Sequence, residues 1–264
     1  MNFRNLILVL AVVFLAAACT TVALTGRKQL SLVPDSEVLA MSAQSYSDFI
    51  KTAPLSTDKT NTEMVKRVGS RIAVAVQTYM NSVGRGSDVA NYQWEYNLVQ
   101  SDEVNAFCMP GGKIVVYTGI LPVTQTETGL AVVLGHEIAH AVAKHSSEQM
   151  SQQYALQLGG SVLGGLIGGT SQTFQNVINT AYGLGGQLGT LNYSRKMESE
   201  ADYMGLDFMA MAGYDPNYAV TFWTRMAQQG SGNTIELLST HPSDATRIAD
   251  IKKALPEALK YYKK

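Results

Sequence analysis

The chain has 264 residues, 46% hydrophobic and 16% charged, with a formal net charge of -1. That length and balance describe a folded chain with a sizeable core and exclude intrinsic disorder. A net charge so close to zero, with no basic stripe outside the last few residues, excludes a general electrostatic affinity for nucleic acid.

Residues 1–18 read as a signal peptide. Arg4 supplies the positive start, and Leu6 to Ala18 is an apolar run too short for an ordinary membrane span. Ala16, Ala17 and Ala18 precede Cys19, with Leu15 one place ahead of the usual apolar position. This pattern resembles a bacterial lipobox, which implies a lipid on Cys19 and a place on the periplasmic side of the outer membrane. Thr20 carries no Asp-type signal for inner-membrane retention. Residues 19–34 then read as anchor and tether, and 35–264 as one domain. With Cys19 so modified, Cys108 has no intrachain disulfide partner and reads as a small buried hydrophobe.

Apolar residues at helical spacing predict helices over 35–53 and 60–80. Tyr92, Trp94, Tyr96 and Leu98 alternate, as in a half-buried strand, and Ile114 to Tyr117 read as a second strand after the turn Pro110-Gly111-Gly112. A long helical pattern covers 126–150. The stretch 155–190 is apolar and rich in glycine, and reads as a mobile helical hairpin, a lid or a membrane-contacting loop. Further helices are expected over 194–212, over 218–228 and from His241-Pro242 onward. The fold class is therefore α+β and mainly α.

The chemistry concentrates in His136-Glu137-Ile138-Ala139-His140. A helix turns about 100° per residue, so His136 and His140 share a face and can offer two imidazoles to one ion. Glu137, on the flank of that face, can reach a metal-bound water as general base. The surrounding helix is apolar, so burying these three groups without a partner would be costly. A catalytic Zn2+ takes three protein ligands and keeps one position for water. Glu198 and Asp202 are four apart on one face of a later helix, whereas Glu200 points elsewhere. One face can thus supply both a third ligand, Glu198, and an acceptor for a ligand imidazole, Asp202. Glu200 is left as a surface carboxylate or an ion-pair partner. His145 falls about 180° from His136 and about 140° from His140 if the helix continues, which assigns it a structural or helix-terminal role. His241, before Pro242, is either a helix cap or, with Arg247, a group facing the ion. In the second case the pair would stabilise an oxyanion, or His241 would fill the open position.

Four patterns together resemble the HtpX-like and CAAX-prenyl-endopeptidase-like zinc metallopeptidases, family forty-eight among metallopeptidases. They are Asn105-Ala106-Phe107 with Pro110-Gly111-Gly112; His136 to His140; Ser194-Arg195 with Glu198 to Asp202; and His241-Pro242 with Arg247-Ile248. The resemblance implies a zincin-like domain, with zinc on His136, His140 and Glu198, Glu137 as base and Asp202 behind a ligand. It implies that Asn105, Ala106 and Phe107 run beside the substrate cleft, where an edge strand pairs with an extended peptide. The sequence is similar to a periplasmic lipoprotein-type branch linked to envelope protein quality control, which implies misfolded or misassembled envelope polypeptides as substrates. The competing reading is a zinc-containing, lipid-anchored binding or assembly factor without protease activity.

Overall fold

The computed structural model describes residues 19–163, 193–229, 237, 241 and 245–263. Strands β1 (Cys19–Thr21) and β2 (Lys28–Leu30) pair antiparallel. Helices α1 (Asp35–Thr52) and α2 (Lys59–Ser82) follow, then β3 (Glu95–Val99), β4 (Ala106–Met109) and β5 (Lys113–Tyr117). The rest is helical: α3 (Glu127–Val142), α4 (His145–Leu163), α5 (Arg195–Met211), α6 (Tyr218–Gln229) and α7 (Ala245–Ala258). Side-chain oxygens of Asp58, Thr126 and Ser194 cap α2, α3 and α5 by accepting from the backbone N–H three residues on. The architecture is mainly helical α+β.

The three-stranded sheet has the order β3-β5-β4, with β3 parallel and β4 antiparallel to β5. Gly111 and Gly112 close the β4–β5 turn at φ +87° and +83°, a region that side chains with a Cβ avoid. Strand alternation splits the sheet residues between two cores. Leu98, Ala106, Cys108, Ile114 and Val116 join the main core; Val99, Phe107, Met109 and Val115 pack with Tyr46, Phe49 and Ile50 of α1. Covered on both faces, β4 is buried along its length yet lies at the sheet's edge.

Helix α3 is apolar all round, which suits a helix surrounded by protein. Every residue from Gly129 to Val142 is buried. It crosses α5 at two glycines. A Cβ on Gly135 would stand 2.7 Å from the Gly205 carbonyl oxygen, and one on Gly205 would stand 2.8 Å from the His136 nitrogen. This close backbone approach sets the distance between the His-Glu-x-x-His face and the acidic face of α5.

Several elements differ from their sequence readings. The long helix expected over 126–150 is two helices, because Lys144 turns the chain at φ +58° and α4 restarts at His145. The strand expected from Tyr92 begins at Glu95; the Tyr92 hydroxyl instead donates to the Ala141 carbonyl at 2.8 Å. The last helix is described over Ala245–Ala258, and its expected start at Pro242 lies outside the described residues. Residues 19–34, read as a tether, form a hairpin docked on the domain, with Val22 and Val33 buried. The stretch 164–192, most of the proposed lid, and the signal segment 1–18 lie outside the described residues. Among the described residues, no helix is long and apolar enough to cross a membrane.

Candidate metal centre

Helix geometry places His136 and His140 one turn apart on α3, with their Nε2 atoms 3.0 Å from each other. The first turn of α5 brings Glu198 opposite them. Its Oε2 is 3.4 Å from His136 Nε2, and its Oε1 is 3.4 Å from His140 Nε2. His241 Nδ1 lies 3.1 Å from His136 Nε2 and 2.9 Å from Glu198 Oε1. All four side chains are buried. Zinc bonded to nitrogen and oxygen at about 2.0–2.1 Å in a tetrahedron needs donors separated by about 3.3 Å. The separations among His136, His140 and Glu198, 3.0–3.4 Å, therefore fit one zinc ion, and His241 lies close enough, with all four donors within 4.8 Å of one another, to approach the same ion.

Glu137 sits beside the cluster. Its Oε1 is 3.6 Å from His241 Nε2 and is a buried oxygen with no hydrogen-bond partner. An orphaned acceptor of this kind costs about 1–3 kcal/mol unless something polar completes it. Burial, opposed by the nearby imidazoles, pushes the Glu137 carboxyl above its ordinary pKa.

A second layer fixes the donors. Asp202, one turn beyond Glu198, places Oδ1 2.9 Å from His136 Nδ1. Arg247 of α7 forks onto that carboxylate, with Nε to Oδ2 at 2.7 Å and Nη2 to Oδ1 at 2.6 Å. It also donates through Nη1 to the His241 carbonyl at 3.1 Å, and its guanidinium carbon lies 3.4 Å from the centroid of the Trp223 ring. Arg247 thus backs Asp202 and His241; the oxyanion role considered from sequence does not suit a fork so engaged.

The field of the site calls for a cation. At His136 burial opposes the imidazolium, but Asp202 and Glu198 outweigh it and raise the pKa to about 9. Burial likewise works against ionised Glu198, yet the surrounding imidazoles of His136, His140 and His241 hold it far below the carboxylate range. His140 goes the other way: burial, aided by neighbouring imidazoles, keeps it neutral, the state a metal ligand needs. Glu198 and Asp202 place two carboxylates against the donor imidazoles, and a divalent cation in place of the His136 imidazolium proton would meet the same field.

Some site residues escaped the sequence reading. The break at Lys144 turns His145 back over His140, their Nδ1 atoms 2.8 Å apart, which the continuous-helix angles ruled out. Glu200 is ion-paired as foreseen but buried, not on the surface, and accepts from Arg27 Nε at 2.6 Å. Tyr193 stacks on the His140 ring at 4.2 Å, and no sequence pattern announced it. Asn105 is buried and turns its Oδ1 to the Ala106 nitrogen at 2.8 Å, at the start of edge strand β4. Ala106 faces the main core and Phe107 the smaller one. Cys108 is buried on the same strand, which packs against α3, and burial, then the charge of Glu137, raises its pKa.

A helix bearing His-Glu-x-x-His against a small sheet, with a carboxylate from a second helix completing the donor set, defines a protein of the zincin-like class. Residues 70–255 match the family described as Peptidase family M48. The chain belongs to peptidase family M48. It is 41% identical over 174 residues to the mitochondrial metalloendopeptidase OMA1 of Schizosaccharomyces pombe, covering 65% of this chain and 50% of that one. It is 37% identical over 179 residues to OMA1 of Arabidopsis thaliana, covering 67% and 35%. To the beta-barrel assembly-enhancing protease of Escherichia coli it is 28% identical over 211 residues, covering 76% and 40%. The chain therefore spans half or less of the length of these relatives.

Proposed function

We propose that this protein is a zinc metalloendopeptidase, with His136, His140 and Glu198 as ligands and Glu137 as general base. The observation that carries the reading is the cluster of four buried metal-ligating side chains beside a buried carboxylate oxygen without a partner. Bound there, zinc would supply Lewis acidity and lower the pKa of a water to about 7. Glu137 would accept the proton of the attacking water on Oε1 and pass it to the leaving amine. A carboxyl raised by burial suits a group that must both take and release a proton. Asp202, held by Arg247, fixes the His136 ring. Edge strand β4, from Asn105, Ala106 and Phe107 onward, would pair with an extended substrate backbone. The test is proteolysis of an unfolded polypeptide by zinc-loaded protein. Glu137→Gln should keep the zinc and lose the activity; a variant that cleaves at the parent's rate would end the proposal.

The lipobox-like run before Cys19, which is exposed, supports a lipid-anchored protein of the bacterial envelope acting on misassembled exported proteins. The similarity to an Escherichia coli beta-barrel assembly-enhancing protease agrees with that setting, whereas the OMA1 relatives are mitochondrial. The HtpX-like and CAAX-endopeptidase-like ancestry belongs to the same proposal. Mass spectrometry of the mature N-terminus would show whether Cys19 carries lipid.

The position of His241 favours one alternative, a structural zinc in a non-catalytic binding or assembly factor, since a fourth protein ligand closes the site. The orphaned Glu137 oxygen argues for the enzyme, in which His241 occupies the open position only in the absence of substrate.

A further inference from the structure

We infer that the N-terminal hairpin positions a metal ligand, holding His140 in its metal-binding tautomer through His145 and Glu200. The inference rests on the zinc reading above and concerns residues outside the donor set. Because Lys144 breaks the helix, His145 faces His140 with Nδ1 against Nδ1 at 2.8 Å, and its Nε2 is 3.0 Å from Glu200 Oε2. An ionised carboxylate only accepts, so the His145 Nε2 carries the hydrogen. An imidazole that gives its Nε2 lone pair to a metal keeps its hydrogen on Nδ1, so across the 2.8 Å contact His145 Nδ1 is the acceptor. The hydrogen between the rings then belongs to His140 Nδ1, and His140 Nε2 presents its lone pair to the cluster, 3.4 Å from Glu198 Oε1. His145 is wholly buried.

Glu200 is fixed in turn by the hairpin. The Thr25 hydroxyl donates to its Oε1 and Arg27 Nε to its Oε2 at 2.6 Å. The other edge of Arg27 forks onto Glu148 of α4 at 2.9 and 2.6 Å. One guanidinium therefore ties α4, which carries His145, to α5, which carries Glu198. On the Nδ1 side, His136 meets a carboxylate directly, Asp202, whereas His140 reaches one through a second imidazole, and that arrangement is completed from residues 25–27. Orienting partners of this kind change metal affinity by about 10–100-fold.

Two measurements on the full chain test this. Long-range 1H–15N correlation spectra of the zinc-free protein should show His145 protonated at Nε2 and His140 at Nδ1; the opposite tautomer at either ring overturns the inference. Zinc affinity, read by competition with a chromophoric chelator, should fall about 10–100-fold in His145→Leu. It should recover largely in His145→Asn, whose Oδ1 can accept the same hydrogen, and fall more modestly in Arg27→Met. Parent-like affinity in a folded His145→Leu overturns the inference; if that variant does not fold, parent-like affinity in Arg27→Met does so. A parent protein that takes up no zinc would remove the metal reading itself, whereas zinc-binding variants indistinguishable from the parent would remove only the relay.

Discussion

Replacing Gly205 by alanine tests the helix crossing on which the donor set depends. The new Cβ would stand 2.8 Å from the His136 nitrogen and 2.9 Å from the Gly135 carbonyl carbon, both backbone atoms that no rotamer change can move. Ordinary contact begins at 3.4 Å, so α3 and α5 must separate locally by about 0.6 Å. Overpacking of this kind costs about 1–3 kcal/mol, while alanine regains about 1 kcal/mol of helix propensity. The net loss of about 0–2 kcal/mol lowers Tm by at most about 8 °C in a domain of this size. Zinc is less forgiving, because its donor distances tolerate only about 0.2 Å. Glu198 sits on one side of the crossing and both histidines on the other, so affinity should fall by about tenfold or more in a protein that is still folded. Chelator competition and thermal melts of the zinc-free variant separate the two effects. Parent-like zinc affinity in Gly205→Ala would refute the claim that backbone contact at the glycine pair sets the donor geometry.

Three other outcomes are expected. Asp202→Asn leaves buried Arg247 without its bidentate partner and should destabilise the protein by about 3 kcal/mol in urea titrations, with zinc affinity also reduced. His241→Ala should bind zinc less tightly yet cleave an unfolded polypeptide faster, because it opens the fourth corner; zinc loss with no activity would favour the structural-site alternative. Asp207 is buried with an unpartnered Oδ1, and burial, with a contribution from Glu257, lifts its pKa to about 7. Between the unfolded value near 3.9 and that folded value, the folded state holds a proton that the unfolded state has lost. This group therefore makes stability fall as pH rises across that window. Asp207→Asn should be more stable than the parent at pH 8, by on the order of 2–4 kcal/mol, and equal to it near pH 4; chemical denaturation at both pH values checks this.

The starts of α2, α3 and α5 were readable to within a residue because their causes are local. Asp58, Thr126 and Ser194 cap within three residues, and apolar spacing reports which face is buried whatever it packs against. The β4–β5 hairpin was legible from Pro110-Gly111-Gly112 for the same reason, but the parallel pairing of β3 with β5 was not, since it joins strands distant in sequence. His145 was misplaced because the angular argument assumed a helix that Lys144 interrupts, and no glycine or proline marks that break. The docking of residues 19–34 was missed because short polar strands look like linker until Arg27 is seen between Glu148 and Glu200.

By itself the sequence determined that His136, Glu137 and His140 share one helical neighbourhood and that Glu198 and Asp202 share another face, since i to i+4 geometry is intrinsic to an α-helix. Only the tertiary structure decided that the two faces meet, that His241 joins them, and that Arg247 and Arg27 brace the residues behind them. Those relations join residues scores of positions apart, and their distances follow from how closely two backbones pack at Gly135 and Gly205, which no local pattern encodes.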